Sequence, residues 1–187
     1  MRETDWAAQV TFSLNEYLSL GGSSLRAKSG MRLMYANEIR EYSSGDPVYN
    51  EMTYQTDILV YEEVGGAIHK PRVVIETKVE SITTHDAITY SQKAATHKAV
   101  HPYLRYGIFL GKRDHYPLPG RLFRHGAQFD FMLSWSGYES SKEEWKALVG
   151  IIEAEVTASR NLEEMIFNSR SKQRKSYTIL HKPLYVS

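Results

Sequence analysis

Between residues 56 and 80 the chain puts charges where a folded protein resists them. Thr56-Asp57-Ile58-Leu59-Val60 and Val73-Val74-Ile75-Glu76-Thr77-Lys78-Val79 are β-type apolar runs, separated by a segment holding Gly65-Gly66 and Pro71. The pattern predicts a hairpin with strands at 56–63 and 72–80. Side chains alternate between faces along a strand, so Glu76 and Lys78 share one face while Ile75, Thr77 and Val79 share the other. If the two strands pair antiparallel, Asp57 lies opposite or diagonal to Glu76 and Lys78. Charges inside a core-forming strand are costly unless they pair or bind a metal. Two carboxylates with nearby carbonyls are hard oxygen donors of the kind that suits Mg²⁺. A water on such an ion is acidified, and a lysine beside it can orient that water or stabilise a phosphate under attack.

The elements around the hairpin follow from periodicity and punctuation. Trp6, Ala7, Val10, Leu14, Tyr17 and Leu18 recur at helical spacing, and Gly21-Gly22 closes that helix. Residues 31–42 are expected to be a strand, with Gly45-Asp46-Pro47 as the turn after it. Thr83-Thr84-His85-Asp86 caps a helix running to Val100 and stopped by Pro102, with Ile88, Gln92, Ala95 and Ala99 expected on the sheet-facing side. Tyr106–Leu110 reads as a short buried strand and Gln128–Leu133 as another. A long amphipathic helix at about 141–168 carries Trp145, Leu148, Val149, Ile152, Val156, Leu162 and Ile166 on one stripe, and Tyr177–Leu180 closes the chain as a final strand. No repeat or linker divides the 187 residues, so a single domain is expected over 1–187.

An acid in the first strand of the hairpin, Glu-x-Lys in the second and the order α-β-β-β-α-β resemble the PD-(D/E)XK nuclease superfamily, to which most type II restriction endonucleases belong. The resemblance spans roughly residues 3–111 and leaves 112–187 as a C-terminal elaboration. It implies an α/β restriction-endonuclease-like fold, a mixed central sheet flanked by helices, with the long helix appended. It also implies that Asp57 and Glu76 bind the metal with the carbonyl of Thr77, and that Lys78 completes the catalytic set. Thr56 stands where the family usually has Pro. Some members place a Gln on the following helix with a Tyr four residues later. Gln92 occupies the first position as a supporting residue, but position 96 is Thr. A helper carboxylate comes from the first helix in some members; Glu16 is the acid in its later turns, although it falls off the apolar stripe, and Glu38 and Glu41 are alternatives. The triplet alone has little specificity, because Glu144-Trp145-Lys146 repeats it in a helical context.

Charge is segregated although the net is only +1. Residues 1–63 hold 5 Lys/Arg against 10 Asp/Glu, whereas 85–136 hold 7 against 3 together with five of the seven histidines. Five further basic residues and no acid occupy 170–187. A nucleic-acid surface would therefore be sought at Lys93, His97 and Lys98 on the helix and at Lys112, Arg113, Arg121 and Arg124 beyond it, interleaved with His115, Tyr116, Phe123 and His125. Solvated basic faces are the plain alternative. His97 and His101 have a metal-compatible i, i+4 spacing, but no adjacent Glu or third ligand accompanies them.

The absence of cysteine removes disulfides, thiolate metal sites and cysteine nucleophiles. The polar start and the lack of an apolar run near the ~20 residues of a membrane span predict a soluble, cytoplasmic protein with no membrane partner. The resemblance places it in a prokaryote or phage. The function expected from it is Mg²⁺-dependent endonucleolytic cleavage of DNA of the type II restriction kind, with Mn²⁺ able to substitute and a homodimer suited to a palindromic site. The alternatives are a repair, recombination or mobile-element nuclease that recognises DNA structure, and a non-catalytic nucleic-acid-binding or assembly module on the same fold.

Overall fold

Alternation of Leu25, Ala27, Ile58, Val60, Val73 and Ile75 toward one side builds the central sheet, in strand order β1 (Leu25–Ser29), β4 (Ile58–Val64), β5 (Ile68–Val79), β6 (Arg105–Gly111) and β7 (Phe131–Ser134). The computed structural model describes residues 1–66, 68–114, 118–168 and 170–173. The sheet is mixed: β1, β4 and β5 run antiparallel in succession, and β5, β6 and β7 run parallel. Between β1 and β4 the chain makes a separate two-stranded ribbon, β2 (Arg32–Ser43) and β3 (Asp46–Gln55).

Two helices cover one face. α1 (Glu3–Ser19) buries Trp6, Val10, Leu14 and Leu18, and α4 (Lys142–Phe167) buries Leu148, Val149, Ile152 and Val156 against Ile58, Val60, Val73, Ile75 and Phe109. The other face, with Leu59, Val74, Tyr106, Ile108 and Leu110, receives α2 (Thr84–Val100), the short α3 (Gly120–His125) and Leu33 of β2. Two glycines of β6 let bulky rings lie flat on the strand. A Cβ on Gly107 would stand 2.2 Å from the Phe131 ring, and one on Gly111 would stand 2.6 Å from the indole of Trp6. Both α2 and α4 begin with reciprocal capping boxes, Thr83 with Asp86 and Ser141 with Glu144. The second Glu-x-Lys thus has a local role: Glu144 closes the first turn of α4, beside a half-buried Trp145.

Several expectations are corrected. The strand at 31–42 exists but belongs to the ribbon, and the sheet position assigned to it is held by β1, which alternation over only five residues concealed. The turn is Ser44-Gly45, both with positive φ (52° and 93°), so Asp46 and Pro47 already open β3. The buried side of α2 is Ala87, Ser91, Ala94 and His97; Gln92 and Ala99 are exposed and Ile88 is 50% exposed. The helix is turned by one residue from the expected face because small side chains, not the larger Ile88, allow close approach to the sheet. Gln92 therefore cannot support the site from below. The strand expected at 177–180 lies outside the described residues, as do His115 and Tyr116. Among the described residues no helix is long and apolar enough to cross a membrane.

Candidate active site

The site begins with how the chain enters β4. Thr56 is fully buried, its N–H and hydroxyl both donate to the Met31 carbonyl (2.8 and 3.0 Å), and its own carbonyl accepts from Gly30 N–H at 3.0 Å. A proline at this position would lose the backbone donor to Met31. The last ladder pair of β4 and β5 is Ile58 with Ile75, and one further step sets Asp57 beside Glu76. Asp57 Oδ2 accepts from the N–H of Thr77 at 2.7 Å and from its hydroxyl at 3.0 Å. One carboxylate is thereby fixed against the strand that carries the other.

Glu76 is 1% exposed. It lies in β5 opposite Ile108, and Lys78 lies opposite Leu110, so both occupy the α2 side of the sheet. Burial, and then the charge of Asp57, push the Glu76 carboxyl above its ordinary range, while Lys93 and Tyr106 oppose the rise. Lys93 Nζ is 2.7 Å from Glu76 Oε1, and the Tyr106 hydroxyl donates to the same oxygen at 2.5 Å. Burial beside Glu76 also holds the Tyr106 hydroxyl well above the usual phenol range, so it remains a donor.

Lys78 Nζ is 3.3 Å from Glu3 Oε1 and 5.3 Å above the Tyr90 ring. Burial works against its charge, yet Tyr90 and Glu3 together raise it above the ordinary lysine range. The carboxyl of Glu3 is itself raised, chiefly by burial, with Lys78 acting against the shift. The helix-borne acid at the site is thus Glu3 in the first turn of α1, while Glu16, Glu38 and Glu41 are exposed.

The basic candidates divide. Lys93 points into the site, where its ammonium meets Glu76. His97 is fully buried, with Nδ1 3.1 Å from the Met34 carbonyl and Nε2 lacking a hydrogen-bond partner among the described residues; burial lowers it to about 4. It cannot meet a phosphate. Lys98 is paired with Asp130 at 2.8 Å and donates to the Gln128 carbonyl. Arg113 donates to the Glu80 carbonyl and Arg121 to the Ile82 carbonyl (3.0 Å), so both fasten the segment that follows β5. Lys112 lies 3.8 Å from Asp114 and over the Tyr138 ring, and Arg124 is exposed.

Sequence reasoning missed Glu3, Tyr90 and Tyr106 and gave Lys93 another task. An acid in a first helical turn reads as dipole compensation, and a tyrosine in an apolar run reads as core; nothing local marks either. Among the described residues no group of three His, Cys, Asp or Glu side chains gathers to hold a metal. A cleft of about 180 Å³ lined by Val10, Trp135 and Trp145 lies on the opposite face of the sheet from Glu76. No protein-family model matches the chain, and no curated protein matches it in sequence.

Proposed function

We propose that this protein is a divalent-cation-dependent nuclease on a restriction-endonuclease-like core, hydrolysing DNA phosphodiester bonds as a type II restriction enzyme does. The observation that carries the reading is the pairing of Asp57 with a fully buried Glu76 at the junction of two antiparallel strands, with Lys78 two residues on. The path α1, β1, β4, β5, α2, β6 supports it, since with the ribbon taken as an insertion it reproduces the αβββαβ order.

The donor set fits Mg²⁺, which keeps several waters and needs only one or two carboxylates. Among the described residues, the contacts to Glu76 fall on Oε1 and those to Asp57 on Oδ2, so Oε2 and Oδ1 would serve the ion, with the Thr77 carbonyl as the third ligand. Mn²⁺ accepts the same oxygens. Bound there, the ion would acidify a water and offset charge gathering on the phosphate. Lys78 would orient that water, Glu3 would aim Lys78, and Tyr106 would hold Glu76 in place. Arg124 and Lys112 would meet the DNA backbone, and a homodimer would match a palindromic site.

A second reading is favoured by the same Glu76: its satisfaction by Lys93 and Tyr106 is also what a non-catalytic nucleic-acid-binding or assembly module would need. Incubation of supercoiled plasmid with Mg²⁺ or Mn²⁺ separates the two. The nuclease reading expects nicked and linear products from the wild type and a loss of about 10²- to 10³-fold in Asp57→Ala and Lys78→Ala, the scale of removing a charge-stabilising group. Intact DNA throughout, with salt-sensitive binding unchanged in both variants, would establish the binding module instead. Cleavage confined to branched or flapped DNA would assign the enzyme to repair or recombination.

A further inference from the structure

Lys93 is held as a bound cation is held. Its Nζ has Glu76 Oε1 at 2.7 Å and the Gln55 carbonyl at 3.2 Å, and the rings of Tyr54 and Tyr90 lie 5.4 and 5.8 Å away. A carboxylate, a carbonyl and two π faces are cation ligands, and only 15% of the side chain reaches solvent. On α2, Lys93 stands at the flank of the buried face, on the side of the fully buried His97 and of Tyr90. Opposite it, Asp57 spends one oxygen on Thr77 and Glu76 spends one on Lys93 and Tyr106. Among the described residues, what remains is one oxygen from each acid, enough to share a single ion. The charges agree: Glu3, Asp57 and Glu76 against Lys78 and Lys93 leave one net negative charge.

We propose that the Lys93 ammonium occupies the place of a second cation, so that Asp57 and Glu76 hold one divalent ion and not two. This rests on the nuclease reading and deepens it by fixing the metal count. Lys93 is then a positioning residue: it presents Glu76 to the ion by holding the oxygen that the ion does not use. Removing the ammonium while keeping most of the stem, as Met or Gln does, vacates a cage lined by Glu76 Oε1 and the Gln55 carbonyl, which a second ion can enter.

The test is a titration with Mn²⁺ alone, counting bound ions by electron paramagnetic resonance and calorimetry on the folded full chain. The expected stoichiometry is one for the wild type, one for Lys93→Arg and two for Lys93→Met, with Lys93→Gln behaving as Lys93→Met. Two ions in the wild type would overturn the proposal and leave the nuclease reading standing, and this count needs no variant to fold. One ion in both the wild type and folded Lys93→Met, at the same affinity, would also overturn it. No Mn²⁺ bound by the wild type would remove the nuclease reading and the proposal together.

Discussion

At the residue scale, the site consists of groups whose ordinary behaviour is altered by one or two neighbours. On the nuclease proposal, Glu3 would act through Lys78, 3.3 Å away, without itself reaching substrate. Glu3→Gln is therefore expected to lower plasmid cleavage by on the order of 10- to 100-fold, the usual effect of losing an orienting partner, with less effect on DNA binding. A binding constant that falls as far as the rate would place Glu3 in substrate contact instead. His97 makes a different prediction. Its folded value of about 4 lies below the ordinary 6.5, so the unfolded chain binds the extra proton first as pH falls. Stability from a neutral His97 is complete above pH 6.5 and is lost as pH drops toward 4, amounting to about 3 kcal/mol for a difference of this size. His101, also lowered by burial and sharing the Met34 carbonyl, adds in the same direction, and Lys93 is the nearby charge that opposes protonation of His97. Urea midpoints at pH 7 and pH 4.5 should diverge less in His97→Gln than in the wild type. Parallel decreases would mean that His97 is not the group responsible.

At the element scale, what was legible in the sequence was whatever apolar periodicity specified. The strands β4, β5 and β6 and the stripe of α4 are continuous apolar signals, and the charges at 57, 76 and 78 stand out because they interrupt such signals. The ribbon was half read because its second strand, with Val48, Tyr49, Met52 and Tyr54 among polar residues, buries almost nothing. The face of α2 was misread because alanines lie on more than one side of it, and tertiary packing chose among them. Lys93 reads from sequence as part of a nucleic-acid surface for the same reason: its partner Glu76 is 17 positions away on a strand, and only the rotation of α2 brings them together. The ribbon tip, residues 37–51, is exposed throughout, including Ile39 and Tyr49, which pair across it at 55% and 50% exposure. Deleting 39–43 and 46–49 would leave Ser44-Gly45 as the turn between the paired Glu38 and Asn50. Because no core contact is lost, the melting temperature is expected to stay within about 4 °C of the wild type. A fall of 10 °C or more, as about 3 kcal/mol would produce, would show that the ribbon supports the core.

For the whole molecule, β5 joins two charged sites with opposite tasks. Near its start, Arg72 (3% exposed) meets Glu62 of β4 at 2.6 and 2.8 Å and Glu163 of α4 at 2.7 Å. Lys70 and Arg160 complete that network by pairing with Glu163 and Glu62. Each acid there has two basic partners on neighbouring elements, so the arrangement locks α4 to the sheet. At the other end, Glu76 and its neighbour Asp57 each keep one carboxylate oxygen without a contact among the described residues. Four residues of strand, roughly 13 Å, separate Arg72 from Glu76. Arg72→Ala would leave Glu62 and Glu163 facing each other with only the more exposed Lys70 and Arg160 to balance them. Breaking a buried pair by removing one partner typically costs 3–5 kcal/mol, and the remaining partners place this case near about 3 kcal/mol, a loss of roughly 6–12 °C in melting temperature. Amide exchange should quicken in the C-terminal turns of α4, where Glu163 sits, and not in α2. Below the lowered melting point, Mn²⁺ stoichiometry and plasmid cleavage are expected to match the wild type, since no contact of Asp57, Glu76 or Lys78 passes through Arg72. If cleavage fell while the protein stayed folded, the two ends of β5 would be coupled, and the division between a locked end and a reactive end would be wrong.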